Sequence, residues 1–314
     1  MQLLHEIDDF ADLIAVVADS RGIDPGLVEK DYWIMHTLWG LQQLGFRFEL
    51  KGGTSLSKGF ELIHRFSEDI DILIHPDGDL PVGRNHGKPA HVAKRRDFFD
   101  GLVDRLLIPG LIGVERDTDF DDTSGQMRGA GIRLRYPEIH PLPEGVKTGV
   151  LLEAGFDQVT PNRPCLISSW AWDHAAEVGV EGLVDNRAVD VPCYEPGYTF
   201  VEKLQTLSTK YRQQQETGVM PNNFLRHYYD LYGLLEDANV QAFIGTPEYF
   251  EHKARRFRAA DEPNLRKNPA FLIDAPGVRK TYEAAYERTR ALYYEDRPSL
   301  TEILARLDAW LDRL

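Results

Sequence analysis

The feature that most constrains how this chain can fold is a pair of glycines between two predicted strands. Residues 46–50 alternate apolar and polar side chains and predict a strand, residues 55–63 predict a helix, and residues 69–74 predict the next strand. The turn between strand and helix consists of Gly52, Gly53, Thr54 and Ser55. Glycine lets the backbone approach a bound group closely, and a helix N-terminus presents N–H donors. The pattern predicts a phosphate-binding turn, and a plain tight turn is the alternative.

Two aspartates lie on the second of these strands, separated by one residue. Residues i and i+2 of a strand point to the same face, so Asp69 and Asp71 converge while Ile70 and Ile72 point to the core. Neighbouring carboxylates repel each other unless a cation lies near them. Mg²⁺, or Mn²⁺ in its place, takes such oxygen ligands together with substrate phosphates. The pattern predicts a divalent-cation site, and the alternative is a strand with one wet, acidic face.

A third carboxylate is expected from another strand. Glu153 interrupts the apolar strand predicted at 148–156, where a charge is costly unless it is paired or bound to a metal ion. We predict Asp69, Asp71 and Glu153 as metal ligands, with Asp157 as the second choice for the third position. A solvent-facing glutamate on an edge strand is the alternative. The turn would hold the tail of a nucleoside triphosphate, and the carboxylates would hold the ion that bridges its phosphates.

The chain changes from a strand pattern to a helix pattern near residue 195. Further strands are predicted at 113–120, 127–136, 148–156, 165–172 and 188–192. Helices are then predicted at 197–215, 222–237, 247–262, 276–293 and 299–313. Strands followed by a run of helices indicate an α+β fold. We expect a nucleotide-binding core with N-terminal helices at 1–195 and a helical domain at 196–314.

The composition counts against several classes of protein. No run of 18 apolar residues predicts a membrane span, and the acidic N-terminus lacks the layout of a signal peptide. The 2 cysteines are too few for a disulfide framework or a cysteine-based zinc site. We therefore expect a cytoplasmic protein with no membrane partner. The net charge of -14 argues against a broad, non-specific surface for nucleic acid.

Two clusters of basic residues stand out against this acidic background. One consists of Lys94, Arg95 and Arg96, and the other of Lys253, Arg255, Arg256 and Arg258. Each cluster is either a local phosphate contact or a solvated helix face. As phosphate contacts, they would make the binding of nucleic acid local and sensitive to salt.

Five segments resemble, in the same order, the AbiEii/AbiGii toxin family of the DNA polymerase β-like nucleotidyltransferase superfamily, which includes the MenT toxins. They are VEKDYW at 28–33, KGGTSLS at 51–57, RFSEDID at 65–71, VEKLQTL at 201–207 and RHYYDL at 226–231. The resemblance implies a polymerase β-like core with a mixed sheet, followed by a helical domain that contributes to the site. It departs at position 227, where the family's last segment has an aspartate and this chain has His227.

The resemblance implies roles that local patterns do not reveal. Lys203 is expected to contact the triphosphate or to neutralise charge during transfer, and Asp230 to position Lys203 or to help the attacking group. Arg65 is expected to steer phosphate, or only to anchor the end of a helix. From local spacing alone, Lys203 is one lysine on an amphipathic helix and Asp230 is a helical ion-pair partner of Arg226.

The resemblance also implies a function, that of a metal-dependent nucleotidyltransferase toxin in a toxin–antitoxin or phage-defence system. Its substrates would be a nucleoside triphosphate and an RNA acceptor, with the 3′ end of tRNA as the expected acceptor, and its partner would be an antitoxin protein. Transfer to a small molecule, as in antibiotic modification, or to a protein hydroxyl is the alternative. A non-catalytic binding module is a further alternative. The retained site residues count against it: Asp69, Asp71, Glu153, Lys203 and Asp230.

Ser67 is a candidate regulatory residue. It precedes Asp69 by two positions and is therefore expected to face the same side of the chain. A phosphate on Ser67 would add about −1.5 to −2 charges beside the two carboxylates, which is expected to block triphosphate binding. The alternative is a hydroxyl that caps the strand.

Overall fold

The chain folds into two compact units in a computed structural model. The structure describes residues 1–83, 85–158, 160–221, 224–295 and 297–314. The first unit consists of Met1–Gly59 and Phe66–Tyr194, and the second of Phe60–Arg65 and Glu195–Leu314. The segment Phe60–Arg65 therefore belongs with the C-terminal helices, although it interrupts the first unit along the sequence.

The first unit is built on a mixed sheet, in which the described residues form seven strands. The strands are β1 (Arg47–Lys51), β2 (Asp69–His75), β3 (Gly113–Asp117), β4 (Gly129–Arg135), β5 (Val150–Gly155), β6 (Asn162–Ile167) and β7 (Ala188–Tyr194). Their order in the sheet is β3-β4-β5-β2-β1-β7-β6. β2 pairs with β5 and β1 with β7 in parallel, and the remaining pairs are antiparallel. The predicted α+β fold with a mixed sheet is confirmed.

The helices of the first unit include one that is buried along most of its length. They are α1 (Phe10–Arg21), α2 (Pro25–Gln43), α3 (Gly52–Thr54), α4 (Pro89–Arg105) and α5 (Trp170–Glu177), with short 3-10 segments at Leu4–Glu6 and Thr118–Phe120. α2 buries apolar side chains such as Val28, Tyr32 and Leu38. It also buries the charged triplet at 29–31, of which Lys30 and Asp31 are described with the site below. Among the described helices, none is long and apolar enough to cross a membrane.

The helix predicted at 55–63 ends earlier than expected. α3 continues into a π-helical turn, Ser55–Gly59, and stops there. Gly59 packs so tightly that a Cβ on it would lie 3.1 Å from Cys193 Sγ. Two residues further on, Glu61 has a left-handed φ of 54°. This conformation is unfavourable for a residue with a side chain and cannot continue a right-handed helix.

The strand predicted at 165–172 is wrong in its second half. β6 ends at Ile167, and α5 begins at Trp170. The side-chain oxygen of Ser169 accepts a hydrogen bond from the backbone N–H of Trp172, at 3.1 Å. Serine before a helix satisfies one of its unpaired N–H groups, and this cap outweighs the strand propensity of the tryptophans around it.

The second unit is helical and includes a segment from the middle of the sequence. Its helices are α6 (Pro196–Thr217), α7 (Arg226–Leu234), α8 (Ala238–Phe243), α9 (Pro247–Arg256), α10 (Pro269–Leu272), α11 (Pro276–Glu287) and α12 (Leu300–Asp308), with a 3-10 turn at Arg290–Leu292. The backbone N–H of His64 donates to the Tyr229 hydroxyl, at 3.1 Å. The Tyr294 hydroxyl donates to the carbonyl of Ile63, at 3.3 Å. α7 is shorter than the helix predicted at 222–237, of which residues 222 and 223 lie outside the described residues.

Neither basic cluster is the simple charged surface that its sequence predicts. Arg95 is buried on α4, and its guanidinium donates to the carbonyls of Pro81, His86 and Gln126. Lys253 is buried on α9 and donates to a main-chain oxygen of Leu314. Both interpretations of the sequence, phosphate contact and solvated face, are therefore wrong for Arg95 and Lys253, because both side chains are buried and donate to main-chain oxygens elsewhere in the chain.

Candidate active site

The glycine turn lies directly against one of the two predicted metal ligands. Gly52 follows β1 with a left-handed φ of 74°, a conformation that glycine adopts without a steric penalty. A Cβ added to Gly52 would lie 2.2 Å from Asp71 Oδ2, which is closer than two such atoms can approach. Glycine is therefore favoured at position 52 by its φ, and a larger residue there would also displace the Asp71 carboxylate. This contact holds the glycine turn against β2, the strand that carries Asp69 and Asp71.

The hydroxyl groups of the turn hold the turn itself in shape. Thr54 Oγ1 donates to the carbonyl of Asp69, at 2.6 Å, and so ties the turn to the start of β2. Ser55 Oγ donates to the carbonyl of Gly52, at 3.0 Å. Both side chains are buried, as is Gly53. These bonds leave phosphate recognition to the turn's backbone, and the nucleotide-binding role of all four residues stays a prediction.

The strand register aligns the three predicted metal ligands on one face of the sheet. β2 and β5 run parallel with Asp71 opposite Glu153 and Asp69 opposite Leu151. Residues opposite each other in a sheet point to the same face, and so do residues i and i+2. Asp69, Asp71 and Glu153 therefore share a face, and all three are half-buried. Ile70 and Ile72 are fully buried on the opposite face, as the alternation predicts.

The carboxylates on this face do not form a closed metal cage. Within the described residues, no group of three or more His, Cys, Asp or Glu side chains is arranged to hold a metal ion. Mg²⁺ is usually bound by one or two carboxylates together with substrate phosphates and water. Asp69 and Asp71 beside the glycine turn fit that donor set. A role for Glu153 as the third ligand stays a prediction.

The charged triplet on α2 has structural roles that local patterns did not reveal. The Asp31 carboxylate forms an ion pair with Lys58 Nζ at 2.8 Å and accepts from the backbone N–H of Trp170 at 2.9 Å. Lys58 Nζ also lies 4.2 Å from the centre of the Trp170 ring. Lys58 belongs to the π-helical turn Ser55–Gly59. Asp31 therefore anchors the C-terminal end of the glycine-turn segment through a buried ion pair.

Lys30 is a buried cation that sequence reasoning did not assign to the site. Its Nζ donates to the carbonyl of Lys147, at 2.5 Å. Burial lowers the pKa of Lys30 to about 8, while the negative charges of Glu68 and Asp69 act in the opposite direction. The sequence signal that could have identified it is three charged residues in succession on a helix otherwise rich in apolar side chains. Lys30 therefore lies within electrostatic range of the acidic strand.

A second group of predicted residues is assembled within the helical unit. Asp230 on α7 is fully buried and accepts from Arg65 at both carboxylate oxygens, with Nε–Oδ1 2.6 Å and Nη2–Oδ2 2.7 Å. Lys203 Nζ on α6 lies 2.8 Å from Asp230 Oδ2. Arg65 and Lys203 are 2% and 7% exposed. One buried carboxylate is thus shared by two buried cations that lie far apart in the sequence.

The charges in this cluster determine the ionisation of Asp230. Burial alone would raise the pKa of Asp230, but the positive charges of Arg65 and Lys203 outweigh burial and hold it far below its usual range. Burial lowers the pKa of Lys203, and Asp230 opposes that effect. Asp230 is therefore ionised, and it forms ion pairs with Arg65 and Lys203, which lie far from it in the sequence. These bonds favour an anchoring role for Arg65, whose contact with phosphate stays a prediction.

Comparison with known proteins identifies one family. The family model described as "Nucleotidyl transferase AbiEii toxin, Type IV TA system" matches residues 34–313. No curated protein matches this chain. A solved structure of an antigenic nucleotidyltransferase-like protein from Paracoccidioides brasiliensis is similar at 14% identity and a TM-score of 0.31, over 74% of this chain and 95% of that one. A TM-score of 0.31 is too low to indicate a shared fold, whereas the family match spans most of the chain.

Proposed function

This chain belongs to the AbiEii nucleotidyl transferase toxin family of type IV toxin–antitoxin systems, and we propose that it transfers nucleotides from a nucleoside triphosphate to an RNA acceptor. The resemblance found in the sequence is thereby confirmed, and the chain is a nucleotidyltransferase. The observation that carries the proposed site is the contact of Gly52 with the Asp71 carboxylate. It places the proposed phosphate-binding turn next to the proposed metal-binding strand, which supports transfer from a triphosphate.

The proposed reaction is the attack of an acceptor hydroxyl on the α-phosphate of the triphosphate, with pyrophosphate leaving. The turn Gly52–Ser55 would bind the phosphates through its backbone, and Asp69 and Asp71 would hold a divalent cation, Mg²⁺ or Mn²⁺, together with those phosphates. Such a cation supplies positive charge that stabilises the phosphoryl oxygens as negative charge develops. Its charge would also offset the repulsion between the two carboxylates.

The cluster in the helical unit is proposed to serve the same reaction. Arg65 and Lys203 contribute two positive charges and Asp230 one negative charge, so these three side chains carry one positive charge in excess. An excess buried cation favours an anionic group such as a phosphate. We propose that Lys203 supplies this charge to the triphosphate and that Asp230 orients it. Asp230 and Arg65 would then act through Lys203.

The RNA acceptor is proposed from the family resemblance, with the 3′ end of tRNA as the preferred site of transfer. A type IV system also implies a partner antitoxin for this toxin. The acidic net charge of -14 favours a local RNA contact over an extended one. Transfer to a small molecule or to a protein hydroxyl remains the competing proposal, because an identical cation site would serve it.

The acceptor can be tested by following labelled nucleotide. The purified protein is incubated with total RNA, Mg²⁺ or Mn²⁺, and each α-labelled nucleoside triphosphate in turn. We expect label to enter tRNA-sized RNA and to be released by nucleases that act on the 3′ end. The Asp69→Ala protein is the control for contaminating transferases. Label on protein, or label that stays in small molecules with RNA unmodified, would contradict the RNA proposal.

Phosphorylation of Ser67 is proposed to switch this site off. Ser67 is half-buried and immediately precedes the acidic pair Glu68 and Asp69. We expect Ser67→Glu to lower nucleotidyl transfer by at least about tenfold, because an added negative charge opposes the triphosphate. Ser67→Gln, with almost the same shape and no charge, is the matched control and is expected to retain most of the activity. Equal activity of the two variants would contradict control through charge at Ser67.

A further inference from the structure

Lys203 lies between two residues of the same helix face. Its Nζ is 2.8 Å from Asp230 Oδ2 and 3.5 Å from His227 Nδ1. His227 and Asp230 are three positions apart on α7, the spacing that places side chains next to each other on a helix. Lys203 reaches both from α6. The ammonium group is therefore held by one carboxylate and one imidazole.

The imidazole of His227 acts as a neutral acceptor in this arrangement. An ammonium group has only donors, so the ring nitrogen that faces it must carry no proton. Burial lowers the pKa of His227 well below its usual value, and the positive charges of Lys203 and Lys210 act in the same direction. Asp230 opposes them but is already shared by Arg65 and Lys203. His227 is therefore uncharged at neutral pH.

A neutral residue at position 227 has a direct effect on the charge of the cluster. Arg65 and Lys203 are cations, Asp230 is an anion and His227 is uncharged, so these four side chains sum to one positive charge. A carboxylate at position 227 would lie within reach of Lys203 and bring the sum to zero. The contribution of Lys203 to the binding of an anion would then be largely cancelled.

We propose that His227 is a positioning residue that orients the Lys203 ammonium without neutralising it, and so keeps one positive charge available to a phosphate group of the nucleotide. This inference rests on the proposed function, because it assumes that Lys203 meets a triphosphate. It assigns to His227 a role in substrate binding: the residue determines both the direction and the net charge of the group that Lys203 presents.

Two variants of His227 separate charge from shape. In His227→Asn the side-chain oxygen can occupy roughly the position of Nδ1 and accept a hydrogen bond from Lys203. His227→Asp has the shape of the asparagine variant but carries a negative charge. We expect His227→Asn to keep the KM for the nucleoside triphosphate within about threefold of the native value. We expect His227→Asp to raise that KM by at least about tenfold, because an added charge next to Lys203 offsets its attraction for phosphate, with a smaller change in kcat.

A binding measurement separates this inference from the proposed reaction. Calorimetric titration with inorganic triphosphate needs neither an acceptor nor turnover, so it tests His227 even if no nucleotidyl transfer is detected. We expect the dissociation constant to rise by at least about tenfold in His227→Asp relative to His227→Asn. Equal dissociation constants for the two variants, or a native protein that does not bind triphosphate, would overturn the inference. Absent transfer alone would count against the proposed function only.

A third variant tests whether Lys203 needs a hydrogen-bond acceptor at position 227. His227→Leu has a similar volume and offers nothing for Lys203 to donate to. We expect it to bind triphosphate about three- to tenfold more weakly than His227→Asn, because the ammonium loses one of its two orienting contacts. If circular dichroism shows that His227→Asp does not fold, His227→Glu, which has the same charge, replaces it in the comparison with His227→Asn. Binding by His227→Leu as tight as by His227→Asn would show that orientation by His227 is not needed.

Discussion

Replacing Asp71 by alanine is expected to lower nucleotidyl transfer by at least about a thousandfold while the protein stays folded. Asp71 is half-buried on the polar face of β2 and contacts Gly52 of the glycine turn, and we propose that its carboxylate serves the cation and the phosphates. The apolar core on the other face, which includes Ile70 and Ile72, is untouched by the change. Rates of label transfer and circular dichroism measured on the same preparation check both parts of this expectation.

Two further variants make this test specific. Asp71→Asn keeps the shape of the side chain and removes its charge, and it is expected to be almost as inactive, because a divalent cation needs the charged ligand. Asp77→Ala removes an exposed carboxylate just beyond β2 that forms surface ion pairs with Arg47 and Arg105, so this variant is expected to retain full activity. A folded Asp71→Ala protein that transfers nucleotide at the native rate would refute the site.

Replacing Asp230 by alanine is expected to destabilise the protein by about 3–5 kcal/mol, the cost typical of breaking a buried ion pair from one side. The change leaves Arg65 and Lys203 buried without their shared carboxylate. It also removes the two hydrogen bonds by which Arg65, at the end of the segment Phe60–Arg65, is joined to α7. Urea unfolding followed by tryptophan fluorescence measures the loss, since the free energy of unfolding falls linearly with denaturant.

A surface ion pair provides the control for this stability test. Arg266 and Asp308 pair in the same unit at 2.7 Å, and both side chains are exposed. Asp308→Ala is therefore expected to cost less than about 1 kcal/mol. If Asp230→Ala is no more costly than Asp308→Ala, the buried cluster does not stabilise the helical unit.

The pH dependence of stability provides a second test of the same cluster. The folded pKa of Asp230 is depressed, so its stabilising contribution is complete above its unfolded pKa of about 4 and is lost as the pH falls below that value. Between roughly pH 5 and pH 7 the carboxyl is ionised in both the folded and the unfolded protein. The native protein is therefore expected to be more stable than Asp230→Asn by a constant margin over this range. The margin is expected to shrink in stronger acid. A margin that stays constant at lower pH would contradict the depressed pKa.

Local patterns in the sequence were sufficient to predict which side chains of β2 form part of the core of the first unit. The alternation at 69–74 predicted which side chains of β2 are buried, because a strand has a period of two residues whatever lies around it. Strands followed by helices predicted the α+β class, and the family motifs predicted the mixed sheet and the nucleotidyltransferase family. The glycine turn was also predictable, since only glycine adopts the φ of Gly52 without strain.

The sequence predictions that were wrong concern residues whose structure depends on tertiary contacts more than on local preference. The helix after the turn ends at Gly59, which packs against Cys193 more than a hundred positions away in the sequence, and the left-handed φ of Glu61 then prevents its continuation. Arg95 and Lys253 have the sequence pattern of surface charges, yet both are buried with backbone carbonyls as partners. A charged side chain is buried only where a partner exists, and that partner does not appear in the local pattern.

The sequence by itself determined the glycine turn, the two aspartates that alternate with core isoleucines and the change from strands to helices near residue 195. Only the tertiary structure decided that Gly52 lies against Asp71, that Arg65 and Lys203 share Asp230, and that His227 faces Lys203. The physical reason is that propensity and periodicity act over a few residues, whereas the desolvation of a charge depends on whichever groups the fold brings to it.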